Sequence, residues 1–470
     1  MAFLGAVLVV FIIIIRPQEF IPGLESFALL NVATAIGVIG IAVEAAMGKL
    51  RRIGSPQLPF VFAFLVWCYV TVIVRAGFGD IDSAHRTILF SVIFMSVVMF
   101  GARSLLRFRA MVGVLILLGL TLGWVGTTQA LHSFECIKLS AEDVRNGQRT
   151  SGEPTGLPCM SSRLECDTDD RAASPFYSPE EFEYVCEKAG PFDTFTVSHG
   201  RVRYRGILAD PNELSVALAA ALGLAFGFYG VARSWLRHPL MAGATGLIGF
   251  CIVSSQSRTG VLVAAVVFGI YFVRRYGISK GAIIGAALAA PVILLGGRSG
   301  EEADSSSEER AGALFKGVDL VREYPLFGVG RGMFGDHYFI TAHNSYLLTA
   351  AELGLPGMLL WSLVMYVTLK IPFVLAFRTP PGTDPRIKEL ATAVFVSLCA
   401  FMVGIAFLSF AYHALLWIYI GLVGALYGVA KQQNPAFEVK LVRKEVGWVA
   451  GADAVILVFL FVFSRLRPGD

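Results

Sequence analysis

Charge is what this chain lacks most: 16% of its 470 residues are Asp, Glu, Lys or Arg, against roughly 25% in an ordinary soluble domain. That deficit excludes a water-soluble globular domain. Histidine is scarce as well, with seven in all. The long apolar runs hold almost no ionisable side chain besides Glu44 and Lys370, each near the end of its run. Proton- and ion-coupled transporters need such groups inside the membrane as a relay. The internal repeats of transporter folds are not evident either, so a flippase or exporter is disfavoured. The Cys-x-x-Cys and histidine spacings of zinc folds are missing. No Lys or Arg precedes the first apolar run and no small-residue cleavage site follows it, which argues against a cleavable signal peptide.

Apolar residues are abundant instead: 55% of the chain, 36 of them phenylalanine, with a mean hydropathy of +0.66. Runs near 1–15, 27–47, 58–74, 88–102, 110–131, 213–232, 239–255, 259–273, 281–297, 350–377, 390–410 and 414–430 are each about as long as a bilayer core requires, on the order of 20 residues. Lipid offers the backbone no hydrogen-bond partner, so these runs are expected to be helical. The expected fold is an all-α polytopic integral membrane protein with about twelve transmembrane helices. A further run near 449–464 is either a last span or an interfacial segment.

Basic residues set the orientation. Lys49, Arg51 and Arg52, then Arg103, Arg107 and Arg109, then Arg233 and Arg237, then Arg274, Arg275 and Lys280, then Arg378, Arg386 and Lys388 fall in alternate connections. The positive-inside rule assigns these to the cytoplasm. The amino terminus is then cytoplasmic, and two long polar segments face the periplasm. The organisation expected is an N-terminal bundle over 1–131, a periplasmic loop over 132–212, central helices over 213–297, a second periplasmic loop over 298–349, and C-terminal helices with a tail over 350–470. The net charge of +4 reflects this topology and not a nucleic-acid surface.

Four of the seven cysteines, Cys136, Cys159, Cys166 and Cys186, share the first loop. An even set in an outward-facing segment points to two disulfides in an oxidising compartment, with three pairings open. Free thiols or a zinc site are the alternatives. The same loop carries Asp167, Asp169 and Asp170, a pattern similar to the acidic pairs of metal-dependent glycosyltransferases, though such clusters are usually solvated faces. The stretch SGEEADSSSEER in the second loop reads as mobile solvated chain.

Polar groups gather at the outer interface: RVRYRGILADPNEL before the sixth run, SSQSRTG between the seventh and eighth, EYPLFGVGRGMF followed by HNSYLLTAAELGLPG, and SFAYH between the last two of the twelve runs. Such clustering on one face argues against a purely structural scaffold. HNSYLLTAAELGLPG preceded by EYPLFGVGRGMF, with the R…G…DPN stretch and the SRTG turn, in this order, resembles the signature of the bacterial O-antigen ligase and lipid-linked glycan polymerase family. The resemblance covers about 200–430, whereas the amino-terminal half is similar only in its pattern of runs. It implies a GT-C-like membrane architecture and a metal-independent, inverting glycosyltransferase. The glycan would pass from an undecaprenyl-diphosphate donor to a hydroxyl of a lipid, protein or glycan acceptor at the periplasmic face of the bacterial inner membrane. No cofactor, metal or nucleic acid is expected. A ligase and a polymerase both fit, because they share the donor site and differ in the acceptor.

The residues suit that chemistry. Arginine binds phosphate oxygens bidentately and stays charged beside lipid, and charge growing on the leaving diphosphate is stabilised by donors already in place. Arg205, Arg258 and Arg310 are the candidates, with Arg203, Arg298, Arg322 and Arg331 able to replace them; an interfacial arginine that merely snorkels to headgroups is the competing explanation. His343 is the expected base, since a neutral imidazole accepts a hydroxyl proton without a metal and a helix start disfavours its protonated form. Packing or capping is the plainer role for this histidine. Asn344 either binds acceptor or caps the helix. Glu352, two and a half turns further on, is expected to hold a neighbouring helix or a buried arginine. Gly354 and Gly357 permit close helix approach. Asp210 and Asn212 are expected to start the sixth span around Pro211. Tyr412 and His413 either line the acceptor path or pack.

Overall fold

The computed structural model describes residues 1–49, 54–77, 81–140, 151–160, 166, 182–231, 234–295 and 301–466. Asp167, Asp169, Asp170 and Arg298 lie outside the described residues. Fourteen α-helices carry most of the described chain. They are α1 (Ala2–Ile15), α2 (Leu29–Ala46), α3 (Leu58–Ala76), α4 (Ile81–Gly101), α5 (Leu105–Leu131), α6 (Pro211–Val231) and α7 (Arg237–Ser254). The rest are α8 (Arg258–Tyr276), α9 (Ile278–Leu295), α10 (Glu301–Glu323), α11 (Ser345–Phe377), α12 (Pro385–Gly404), α13 (Ala414–Gln433) and α14 (Arg443–Leu466).

Among the described residues, nine helices are long and apolar enough to cross a membrane: α2, α3, α5, α6, α8, α11, α12, α13 and α14. Of the remaining runs, that near 1–15 forms the 14-residue α1, and those near 88–102, 239–255 and 281–297 fall in α4, α7 and α9. The last run becomes α14, whose 24 residues suffice to span by length and composition. Large apolar side chains such as Ile39 on α2 and Val455 and Phe459 on α14 are exposed, as lipid-facing positions are.

The chain divides into two compact units. The first comprises Met1–Val9, Val32–Val112 and Ser299–Asp470, and the second Val10–Asn31 and Gly113–Arg298. In the first, α11 packs against α3, α10, α12 and α14, and α13 lies along α4. The α4–α13 contact depends on Gly421, where an added Cβ would sit 2.4 Å from the Met95 carbonyl oxygen. The serine- and acid-rich stretch expected to be mobile instead opens α10. Its continuation places Ala313, Gly317, Val318 and Leu320 on a buried face, the spacing of a helix that packs along one side; α10 docks on α11 and α14. Apolar residues from Ala311 onward outweigh the solvated composition of the first turns.

In the second unit, α6 is buried over most of its length and packs on α7 and α8. It also holds the departure from an all-α chain, a three-stranded antiparallel sheet ordered β2-β1-β3, with β1 at Phe134–Ser140, β2 at Glu153–Pro158 and β3 at Phe182–Lys188. The alternation in β1 sends Ile137 and Leu139 to one face, where they pack with Ala189 and Phe195. Cys136 points to the other face, joining Cys159, Cys166, Cys186 and Tyr184. The two disulfides are Cys136–Cys166 and Cys159–Cys186. So small a sheet has little core of its own, and covalent staples supply the deficit.

Candidate functional site

The first unit holds the HN motif. Asn344 is the N-cap of α11: its Oδ1 accepts from Leu347 N at 2.9 Å, and its Nδ2 donates to the Ala406 carbonyl at 3.0 Å. Ser345 N donates to Ile405 O at 2.8 Å. The Ser345 hydroxyl donates to Leu408 O at 2.6 Å and accepts from Phe410 N at 2.8 Å. The helix start is thus stitched to the turn between α12 and α13, which brings HNSYL and SFAYH together. His343, immediately before the cap, is half-buried and has φ of 46°. A non-glycine residue in the left-handed region costs on the order of 1–3 kcal/mol and persists only where its surroundings over-determine it. His413 is the N-cap of α13, accepts from Leu415 N at 3.3 Å, and stacks on Phe410 at 3.9 Å between ring centroids.

Beyond the first turns, α11 breaks. Gly354 has φ 70° and ψ −179°, and Pro356 follows two residues later. Pro356 has no N–H to give the Glu352 carbonyl, so the break leaves buried backbone groups that need partners elsewhere. The segment after α10 satisfies them. Val329 N donates to Ala351 O at 2.9 Å, Gly330 N to Glu352 O at 3.0 Å, and Leu355 N to Pro325 O at 2.8 Å. From α3, Trp67 Nε1 donates to Leu353 O at 2.8 Å. The backbones approach so closely that a Cβ on Gly328 would lie 2.2 Å from the Glu352 carbonyl carbon, and one on Gly354 2.2 Å from Leu326 O.

This frame fixes a buried polar group. Glu352 is 3% exposed, its Oε1 accepts from Phe334 N at 3.3 Å, and Arg331 and Tyr412 are its electrostatic neighbours. The Arg331 guanidinium sits 4.6 Å from the Tyr412 ring centroid. Arg310 lies on α10, half-buried. Arg75 on α3 donates to Gly328 O at 2.6 Å and lies over the Tyr324 ring. Neither Trp67 nor Arg75 stands out in the sequence; an indole inside the 58–74 run and a basic residue just after it are the one signal.

The second unit holds the other motifs. RVRYR runs beside the α7–α8 turn: Val202 N donates to Ser254 O at 3.3 Å and Arg201 Nε to Ser255 O at 3.1 Å. Asp210 Oδ1 accepts from the Asn212 backbone at 2.6 Å and starts α6 with Pro211 in its first turn. Asn212 Oδ1 accepts from the Ser257 hydroxyl at 2.7 Å, and Ser257 caps α8. Thus DPN and SRTG meet through one hydrogen bond. Arg258, the first residue of α8, is exposed.

Arg205 is fully buried. Its Nη2 donates to Phe192 O, and its guanidinium lies 5.1 Å from the Phe20 ring centroid. Nε and Nη1 find no acceptor among the described residues. Burial lowers its pKa, offset by Tyr204, Glu19 and Asp193. Burial pushes Arg203 down to about 10, against the pull of Glu187 and Asp210. A buried guanidinium with unfilled N–H groups suits phosphate oxygens. Gln129, buried near the end of α5, accepts from Arg203 N at 3.2 Å and donates to Thr194 at 2.8 Å; a glutamine closing an apolar run is the signal that marks it. Among the described residues, the Cys136, Cys159 and Cys166 sulfurs lie within 4.8 Å of one another, but the disulfides use them.

These features define a multi-pass helical membrane protein with polar motifs in both units. Residues 243–362 match the family model described as O-Antigen ligase. The match runs from α7 into α11 and includes Arg258, Arg310, His343, Asn344 and Glu352, and it supports an O-antigen ligase-like family in the broad sense that spans ligases and polymerases. No curated protein matches the chain.

Proposed function

We propose that the protein is an inner-membrane glycosyltransferase of the O-antigen ligase type, moving a glycan from an undecaprenyl-diphosphate donor to an acceptor hydroxyl at the periplasmic face. What carries the proposal is the HN opening of α11: a half-buried histidine in left-handed backbone, fixed by Asn344 and Ser345 on the 405–410 turn, inside the stretch that matches the O-antigen ligase model. The nine candidate spans, with α1, α4, α7 and α9 beside them, support about twelve crossings, and the GT-C-like arrangement follows from the family resemblance alone.

In this mechanism His343 accepts the acceptor hydroxyl proton. The acceptor oxygen bonds to the anomeric carbon as the bond from that carbon to the diphosphate oxygen breaks, inverting the centre without a metal. Undecaprenyl diphosphate leaves with its charge stabilised by arginine, for which the sequence offers Arg205, Arg258 and Arg310. Asn344 holds the histidine segment in place. Glu352 and Tyr412 hold Arg331, and His413 supports the 405–410 turn. The test is glycan transfer in a host lacking the native gene, complemented with wild type, His343→Ala or Arg205→Ala at matched expression. Loss of transfer in both variants is expected. Long lipid-linked chains accumulating in the mutants identify a ligase, single repeats a polymerase. Normal transfer by His343→Ala rules out the base.

A further inference from the structure

A second polar site lies in the first unit, away from every motif above. A cleft of about 400 Å³ opens where α2 ends and the α4–α5 turn passes, lined by Val43, Glu44, Met47, Lys49, Arg103 and Arg107 among others. Its charged lining is three cations to one anion. Glu44 is matched by Arg107, with Nη1 to Oε1 at 3.1 Å, which leaves Lys49 and Arg103 in excess. Arg103 is 8% exposed, and its Nη2 donates to Lys49 O at 2.9 Å. Its Nε and Nη1 are buried and meet no acceptor among the described residues. Burial lowers the pKa of this guanidinium and Arg107 adds to the effect, with Glu44 acting against both. A buried cation with two idle N–H groups is destabilising unless an anion takes them.

The remainder of the wall is apolar. Val43 and Met47 are 41% and 53% exposed on α2, one of the helices able to span a membrane. Lys49, Arg103 and Arg107 all belong to connections that their basic content assigns to the cytoplasm. Anionic lipids gather on that surface and attract such residues.

We propose that this cleft binds a phosphate ester anion, held by the idle Arg103 N–H groups and by Lys49, with the apolar wall on α2 receiving whatever hydrocarbon the ester carries. The ester comes either from an anionic phospholipid headgroup or from a soluble phosphate.

The full chain is purified and exchanged into vesicles of phosphatidylcholine alone or with phosphatidylglycerol; phosphatidylglycerol retained after delipidation is measured by native mass spectrometry. Thermal protection by inorganic phosphate is measured in parallel. Wild type retains phosphatidylglycerol, and Arg103→Ala lowers its affinity by roughly tenfold or more, as expected for losing charge-assisted hydrogen bonds. Protection by inorganic phosphate that depends on Arg103, without lipid retention, identifies the source as soluble. Equal lipid retention and equal phosphate response in wild type and Arg103→Ala overturn the proposal. Should Arg103→Ala fail to accumulate, Glu44→Gln decides: removing the competing carboxylate is expected to tighten binding several-fold, and unchanged or weaker binding overturns the site.

Discussion

Replacing Gly354 by alanine tests the frame around Glu352 most directly. The native backbone there, φ 70° and ψ −179°, is open in practice to glycine alone, and forcing another residue into it costs about 1–3 kcal/mol. The new Cβ would also sit 2.2 Å from Leu326 O. That atom is backbone and cannot rotate aside, so the 325–330 segment has to withdraw. Withdrawal gives up the hydrogen bonds from Leu355 to Pro325, from Val329 to Ala351 and from Gly330 to Glu352, each worth about 1 kcal/mol net. The expected loss is about 4–6 kcal/mol. Gly335→Ala is the control, because nothing lies within 4 Å of its added Cβ; it should fall within about 0.5 kcal/mol of wild type. Unfolding in mixed micelles measures the stability, and cleavage of the 325–334 segment by a protease reports whether it has come away. Gly354→Ala matching Gly335→Ala in both assays would refute the account of the broken helix.

Arg205→Met should separate stability from function: removing a fully buried guanidinium with two unfilled nitrogens is expected to stabilise the fold by about 1–3 kcal/mol while abolishing glycan transfer, and a melting temperature below wild type would count against the unmet-donor argument. Removing the Cys159–Cys186 disulfide, which closes 27 residues, by Cys159→Ser with Cys186→Ser should destabilise the sheet by about 3–4 kcal/mol; unchanged protease resistance over 134–205 would show that the sheet stands without its staple.

The spans are legible in the sequence because lipid imposes one rule on every backbone group, and a run of about 20 apolar residues has a single solution. The HN motif is legible as a helix start because an Asn before an apolar run caps it. The break at Gly354 is less so: glycine and proline are common in membrane helices, and whether Gly354 bends or only packs depends on donors from Trp67, Val329 and Gly330. The helix over Glu301–Glu323 is hidden for a related reason. Its first turns have the composition of solvated chain, and only the apolar face from Ala313 to Leu320, completed by α11 and α14, decides the matter. The burial of Arg205 is set by Phe20 and Phe192, the former far away along the chain, and no local pattern announces it.

The seam between 325–330 and 351–355 is written in main-chain atoms and glycines. Leu326 and Leu355, on its two sides, are 63% and 45% exposed and contribute no side chain to it. Such a joint is indifferent to the side chains at those two exposed positions. Variation can therefore run through Leu326 and Leu355, changing what the surface presents, while the geometry that seats the buried Glu352 and leads back to His343 stays as it is.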